Sequence, residues 1–134
     1  NVLKKTLLVT EKPWGVEEVW ADTAYYKGKF LTINGGHRLS RKYHLSRHHT
    51  VCVMTGVLTI EAGPTHTGGD ITKITLSPNE TYHLPSGQIH RFCAEDGPVK
   101  IVEVSQAGTT NYVRVEDDYD RITNLPGRIP HSTK

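Results

Sequence analysis

Long hydrophobic runs are missing from this chain, and cysteine is scarce. No apolar stretch is long enough to span a bilayer, and the opening residues lack the apolar segment and small-residue cleavage site of a signal peptide. The only cysteines, Cys52 and Cys93, lie in apolar runs that look like strands, where a buried thiol is a common filler. These absences argue against a membrane protein and against a disulfide framework. We therefore expect a cytoplasmic protein.

An excess of one charge sign is also missing. The 16 basic and 14 acidic residues are interspersed, and the formal net charge is +2. No basic stripe marks a surface for a nucleic-acid backbone or an anionic membrane. We expect a small molecule as the partner, with no nucleic acid and no membrane.

The sequence consists mostly of short β-rich runs separated by Gly, Pro, Asn or Asp. The strand-like runs are VEEVWAD, YKGKFLTI, HRLSRKYH, TVCVMTGVLTIEA, ITKITLS, TYHLP, IHRFCAE and KIVEVSQ. About eight strands is the number expected for a double-sheet jelly roll or a small closed barrel. The 134 residues suit one domain, with a core over residues 11–121, a short helical turn near EDDYDR and a polar tail over residues 122–134.

Histidine is abundant, with eight residues, and three of them are clustered. His44 ends one strand-like run and His49 begins the next, so a tight reversal would bring both imidazoles to one end of a sheet. A catalytic metal site commonly has about three protein ligands and an open position, and His90 is a third candidate from a distant hairpin. His66 and His131 are expected to be ordinary surface residues.

Strand alternation decides which histidines point inward. Placing His49 inward groups it with the apolar residues Val51 and Val53, as expected at the mouth of an apolar cavity. The opposite parity would turn His48 inward instead. Alternation after the turn in LPSGQIHRF favours His90 on the core face.

Two motifs resemble those of the cupin superfamily. The first motif ends in a ligand, six residues and a glycine, which matches His49 and Gly56. The second, Pro-x-Gly-x-x-His, matches Pro85, Gly87 and His90. The resemblance implies an all-β cupin, a double-stranded β-helix or jelly-roll barrel.

A narrower resemblance extends over residues 11–121. The segments EKPWGVEEVW, LSRKYH, YHLPSGQIHRF, KIVEVS and YVRVEDDYDR are similar to the cupin domain of type II mannose-6-phosphate isomerases, which is often fused to a mannose-1-phosphate guanylyltransferase. The resemblance implies one divalent metal ion held by His44, His49 and His90, with zinc expected and manganese, nickel or iron as alternatives. It also implies a homodimer.

The chain departs from this family at two ligand positions. Lys42 stands where the family usually has glutamine, and His49 stands where it has glutamate. An ammonium cannot bind a metal while it is protonated, so Lys42 is expected to face a phosphate or to transfer a proton. Three neutral imidazoles would leave the metal its full charge as a Lewis acid.

The remaining site predictions concern proton transfer and anion binding. Lys42, Glu103 and Arg114 are predicted to be catalytic. Glu103 is either an inward group or an exposed residue on the polar face of its strand. Tyr43, Arg91 and Arg114 are predicted to bind substrate, the arginines as anion clamps.

Three functions are compatible with this sequence. The first is a metal-dependent aldose–ketose isomerase that acts on a sugar phosphate, with mannose 6-phosphate and fructose 6-phosphate as the expected pair. The second is a cupin that binds a sugar or sugar nucleotide without chemistry. The third is an iron dioxygenase with a three-histidine site.

Overall fold

The computed structural model describes residues 2–63, 69–107 and 112–119. These residues form eleven β-strands and no helix. The strands are β1 (Leu8–Lys12), β2 (Gly15–Asp22), β3 (Tyr26–Ile33), β4 (Arg41–His44), β5 (His49–Thr55), β6 (Leu58–Ala62), β7 (Thr72–Leu76), β8 (Thr81–Leu84), β9 (His90–Cys93), β10 (Val99–Gln106) and β11 (Tyr112–Glu116). Within the described ranges, no helix is long and apolar enough to cross a membrane.

The strands form two antiparallel sheets. The first sheet has the order β1-β2-β3-β10-β5-β8, and the second has the order β11-β4-β9-β6-β7. Strands that are distant in sequence are therefore neighbours, as in a jelly roll. The predicted fold class, an all-β double-stranded β-helix, is confirmed.

The apolar core lies between the sheets and follows the alternation of the strands. Leu31 and Ile33 of β3 are buried, as are Val51 and Val53 of β5, because alternate side chains point to the same face. His49 shares that parity and is 4% exposed. The predicted inward parity of His49 is confirmed.

The predicted strands differ from the structure in four places. The run over residues 50–62 is divided between β5 and β6, and the run over residues 37–44 is shortened to β4. The strands β1 and β11 were not predicted. The predicted helical turn is described only to residue 119, where Glu116 ends β11 and residues 118–119 form a turn. The predicted tail over residues 122–134 lies outside the described residues.

Gly15, at the start of β2, is required by close packing of the backbone. A Cβ atom at this position would lie 1.9 Å from the carbonyl oxygen of Thr32, so any other residue would force the β2–β3 pair apart. The preceding residue, Trp14, is 4% exposed and lines the cavity that contains the candidate site.

Candidate metal and anion site

Three histidines from three strands meet between the sheets. His44 ends β4, His49 begins β5 and His90 begins β9. The backbone N–H of Gly87 donates a 2.8 Å hydrogen bond to the carbonyl of His44, which ties the β8–β9 turn to the end of β4. Gly87 has a φ of 85°, a conformation that glycine adopts without steric cost. This turn positions His90 beside His44.

The three imidazole rings are close together and buried. The ring centroids of His44 and His49 are 4.0 Å apart, those of His44 and His90 are 5.6 Å apart, and those of His49 and His90 are 6.5 Å apart. The predicted convergence of the three residues is therefore present in the fold.

Burial keeps two of these imidazoles neutral. Burial, reinforced by the neighbouring His49 and His90, lowers the pKa of His44 to about 2. Burial also lowers the pKa of His90 to about 4, despite a 3.1 Å contact between its Nδ1 and the carbonyl of Gln88. That contact requires Nδ1 to carry the proton, so the lone pair of His90 is on Nε2. Neutral imidazoles are the form that binds metal.

The donor chemistry of this cluster fits a divalent metal ion. Nδ1 of His44 and Nε2 of His49 are buried without a hydrogen-bond partner among the described residues, whereas Nδ1 of His49 lies 3.4 Å from the Glu103 carboxylate. Uncommitted imidazole nitrogens are typical zinc ligands. Among the residues described, however, no group of three His, Cys, Asp or Glu side chains is already arranged as a ligand set. The three-histidine metal site therefore stays a prediction.

A chain of polar contacts extends from His49 across the first sheet. Nδ1 of His49 is 3.4 Å from Oε2 of Glu103, and Nζ of Lys29 is 3.5 Å from Oε1 of the same carboxylate. Lys29 also contacts Glu17 at 3.0 Å, and Lys12 contacts Glu17 at 3.4 Å. Burial by itself raises the pKa of Glu103, but the contacts with His49 and Lys29 outweigh it and hold that pKa well below its usual range. Glu103 is therefore inward and ionised.

A cavity of about 300 Å³ contains these groups. Its lining includes six cationic side chains and only two carboxylates, those of Glu17 and Glu103, which leaves an excess of four positive charges when the histidines are neutral. The cations are Lys12, Lys27, Lys29, Lys42, Arg47 and Arg114. Such a cavity attracts an anionic ligand.

The structure places the predicted catalytic residues in this cavity. Lys42, Glu103 and Arg114 all line it. Lys42 lies directly opposite His90 in the pairing of β4 with β9. The Nζ of Lys42 and the Cζ of Arg114 are 5.1 and 5.4 Å from the ring centroid of Tyr112. These contacts bring the two cations together around one aromatic ring.

Two residues predicted to bind substrate, Arg91 and Tyr43, do not line this cavity. Arg91 follows His90 on β9 and points to the opposite face, where it is fully buried. Its Nη1 is 3.0 Å from Oε1 of Glu116, and its Nη2 donates a 3.1 Å hydrogen bond to the Glu116 carbonyl. Tyr43 lies between the cavity residues Lys42 and His44 and likewise points to the other face of its strand.

Several cavity residues were not predicted from the sequence. They are Lys12, Glu17, Lys27, Lys29, Arg47 and Tyr112. Lys29 carries a signal that could have identified it, since it shares strand parity with the buried residues Leu31 and Ile33. Arg47 lies in the loop before β5, where no alternation applies.

The double-stranded β-helix with an inward histidine cluster defines the chain as a cupin domain. The family model described as "Mannose-6-phosphate isomerase C-terminal" matches residues 3–124, and the chain belongs to that family. The alginate biosynthesis protein AlgA of Pseudomonas aeruginosa is 29% identical over 119 residues. That match covers 87% of this chain and 22% of AlgA, so the chain spans about a fifth of this relative's length.

Solved structures share the fold at low sequence identity. The capsular polysaccharide assembling protein CapF of Staphylococcus aureus superposes with a TM-score of 0.75 at 13% identity, over 84% of this chain and 35% of CapF. Oxalate decarboxylase of Bacillus subtilis, a protein with Mn(II) centres, superposes with a TM-score of 0.69 at 14% identity, over 80% of this chain and 29% of that protein. Likeness at these identities shows the fold alone.

Proposed function

We propose that this chain is a metal-dependent aldose–ketose isomerase domain that acts on a sugar phosphate and interconverts mannose 6-phosphate and fructose 6-phosphate. The observation that carries the proposal is a cavity with four excess positive charges beside three buried imidazoles. A phosphate ester supplies the opposite charge, and a hexose phosphate suits a cavity of about 300 Å³. Membership of the isomerase C-terminal family supports the same reaction class.

The histidines and the cations would contact different parts of the substrate. The sugar oxygens would face His44, His49 and His90, while the phosphate would face the lysines and arginines. A divalent ion held by these three histidines, with zinc preferred, would supply Lewis-acid polarisation of the sugar carbonyl.

Proton transfer is assigned to Lys42. An isomerase of this type moves a proton between C1 and C2 through an enediol, which needs a base beside the reacting carbons. The pKa of Glu103 is held low by His49 and Lys29, so its carboxylate is a weak base and is better suited to orient the His49 ring. Lys42, opposite His90, is the cavity group that remains for this role.

A binding module without chemistry is the second candidate. The observation that favours it is that both carboxylates of the cavity contact lysines, Glu17 with Lys12 and Lys29, and Glu103 with Lys29. Neither carboxylate has the environment of a general base with a pKa near neutral pH. A cupin of this kind would hold a sugar phosphate or sugar nucleotide and release it unchanged.

One experiment distinguishes the candidates. The purified protein is analysed for metal, reconstituted with zinc or manganese, and assayed for conversion of mannose 6-phosphate while calorimetry measures its affinity. Turnover supports the isomerase, and binding without turnover supports the binding module. Absence of both binding and turnover would reject both candidates, and oxygen uptake by the iron-loaded protein would instead support the dioxygenase.

A homodimer in the cytoplasm completes the proposal. The edge strand β1 exposes Leu8 and Val9, which are 66% and 54% exposed, and an exposed apolar edge strand is a common place for association. Sedimentation velocity measures the mass of the particle, and a monomer at micromolar concentration would contradict this part of the proposal.

A further inference from the structure

We infer that Arg47 is the residue that anchors the phosphate group in the cavity. The inference deepens the proposed function and rests on it for the sugar, but the anchor itself concerns only the anion. Arg47 lies in the loop between β4 and β5, two residues before His49. It lines the cavity and is 6% exposed.

Arg47 is more deeply buried than the other cavity cations, which are half-buried, and it has no carboxylate counter-ion within the described ranges. Among the described residues, no carboxylate forms an ion pair with its guanidinium, and its Nε is buried without a hydrogen-bond partner. The cavity lysines Lys12 and Lys29 are paired with glutamates. Arg91, which is fully buried on the other face of the second sheet, is paired with Glu116.

A buried guanidinium without a carboxylate partner is costly, because the charge has lost much of its water and gained no opposite charge. A ligand that brings negative charge to Arg47 removes that cost, so binding energy is available at this point of the cavity. The planar fork of a guanidinium matches two oxygens of a phosphate, which a lysine ammonium cannot do. A phosphate monoester also carries enough charge to offset much of the excess in this cavity.

The remaining cations define the secondary contacts. Lys42 and Arg114 flank the ring of Tyr112 on the second sheet. Lys12 and Lys29 share their charge with Glu17 and are therefore weaker attractors for a second anion. The phosphate is accordingly assigned to Arg47 first, with Arg114 as a supporting charge, and Lys42 is left for proton transfer.

Inorganic phosphate is the probe for this site, measured by calorimetry on the full chain. Arg47→Met, which keeps the length of the side chain and removes its charge, is expected to weaken phosphate binding at least tenfold. Arg47→Lys is expected to have intermediate affinity, because it keeps the charge and loses the fork. Lys73→Met is the control, since Lys73 is paired with Glu95 on the surface and does not line the cavity.

Thermal unfolding separates an anchor from a structural residue. Phosphate is expected to raise the melting temperature of the wild type but not that of Arg47→Met, because a ligand stabilises only the state that binds it. Without phosphate, Arg47→Met is expected to melt at or above the wild-type temperature, since it removes an unpaired buried charge. A clear fall in that temperature would indicate a structural role and would contradict the inference.

Phosphate binding tests the Arg47 anchor, whereas turnover tests the isomerase proposal, so the two can fail independently. Wild-type phosphate affinity in Arg47→Met, or no phosphate binding by the wild type, overturns the anchor whatever the catalytic result. Phosphate binding that depends on Arg47 in a protein without turnover supports the anchor and rejects the isomerase. In an active enzyme, the anchor predicts a raised KM in Arg47→Met, whereas a fall in kcat alone would assign Arg47 to the reacting sugar oxygens.

Discussion

Neutral imidazole is the form a histidine needs in order to bind a metal ion, and burial enforces it at His44 and His90. Each loses a nitrogen lone pair if it is protonated. Their lowered pKa values, about 2 and about 4, keep both neutral across the physiological range. The metal-binding form of these two histidines therefore depends on their burial rather than on a fixed ligand geometry.

Loss of one ring tests the metal site most directly. His90→Ala is expected to remove most of the divalent metal that the protein binds, because it deletes one of the three proposed ligands, the one whose tautomer is set by Gln88. Elemental analysis of purified protein gives the metal content. His37→Ala is the matched control, since His37 lies outside the cavity lining and contacts the Gly35 carbonyl. Equal metal content in the two variants would reject the assignment.

The lowered pKa of His90 predicts a pH dependence of stability in the metal-free protein. The unfolded chain takes up a proton near pH 6.5, whereas folded His90 does so only near pH 4. The unfolded state therefore binds more protons between these values, and the free energy of unfolding falls as the pH is lowered through this window. The single group contributes about 3 kcal/mol over the whole window.

Urea unfolding of the metal-free protein at several pH values measures this effect. His90→Gln is expected to lose less stability between pH 6.5 and pH 4 than the wild type, because glutamine does not titrate. Parallel curves for the two proteins would show that His90 does not carry this linkage.

The isomerase proposal requires Lys42 to transfer a proton, whereas the binding-module proposal does not. Lys42→Gln is expected to keep the metal and to lower kcat by about 100-fold, the usual size of a general acid–base contribution. Lys100→Gln is the control, because Lys100 also lies over an aromatic ring, that of Phe30, but outside the cavity. Unchanged kcat in Lys42→Gln would show that Lys42 is not the proton-transfer residue.

At the scale of the strands, alternation of apolar residues predicted most of the fold. The predicted run over residues 26–33 matches β3, because Leu31 and Ile33 mark a clear inward face. Strand β1 was missed because residues 8–11 are all exposed, so no face of the strand is marked by burial. Edge strands are held by backbone hydrogen bonds, which do not depend on an apolar pattern.

The edge strand β11 is held in place by an ion pair that the sequence could not reveal. Arg91 from β9 and Arg41 from β4 both contact Glu116, at 3.0 and 3.3 Å, and the register of β11 against β4 shifts just before this residue. These contacts fix the end of the strand that carries Tyr112 and Arg114 into the cavity. Alternation from His90 predicts the face that Arg91 occupies, but it does not predict which carboxylate Arg91 contacts.

Glu116 therefore stabilises the fold more than its exposure suggests. Glu116→Ala is expected to lower the free energy of unfolding by about 3 kcal/mol, because it leaves the fully buried Arg91 without its carboxylate. The control is Glu95→Ala, which breaks the Lys73–Glu95 pair at the same 3.0 Å distance but on the surface. That control is expected to cost much less, because water already solvates both charges of an exposed ion pair. Similar losses from both variants, in denaturant unfolding, would contradict the role given to Arg91.

At the scale of the whole molecule, the fold gathers positive charges in the cavity, although basic and acidic residues are interspersed along the sequence. The chain has a formal net charge of +2, yet the cavity lining alone has an excess of four positive charges. The other ten basic and twelve acidic residues therefore carry an excess of two negative charges. The six cavity cations come from β1, β3, β4, β11 and the loop between β4 and β5. Because these elements are distant in sequence, the topology of the fold brings the cations together, and no short sequence segment predicts the cluster.

This separation of charge predicts that binding of sugar phosphates depends on salt. A cavity with an excess of positive charge attracts anions through its electric field. Dissolved ions screen that field over about 10 Å at 0.1 M ionic strength. The Kd of mannose 6-phosphate is expected to rise at least about threefold when sodium chloride is raised from roughly 0.05 to 0.5 M.

Two variants locate the source of the salt effect. Arg114→Gln removes a cavity charge and is expected to flatten the dependence of Kd on salt, whereas Lys73→Gln removes a surface charge and should leave it unchanged. Calorimetric titrations at four salt concentrations give the slopes. If wild-type affinity is independent of salt, the phosphate is not bound by the charge of this cavity; if both variants change the slope equally, the effect belongs to the net charge of the protein. Only a slope that responds to Arg114 alone assigns the attraction to the cavity.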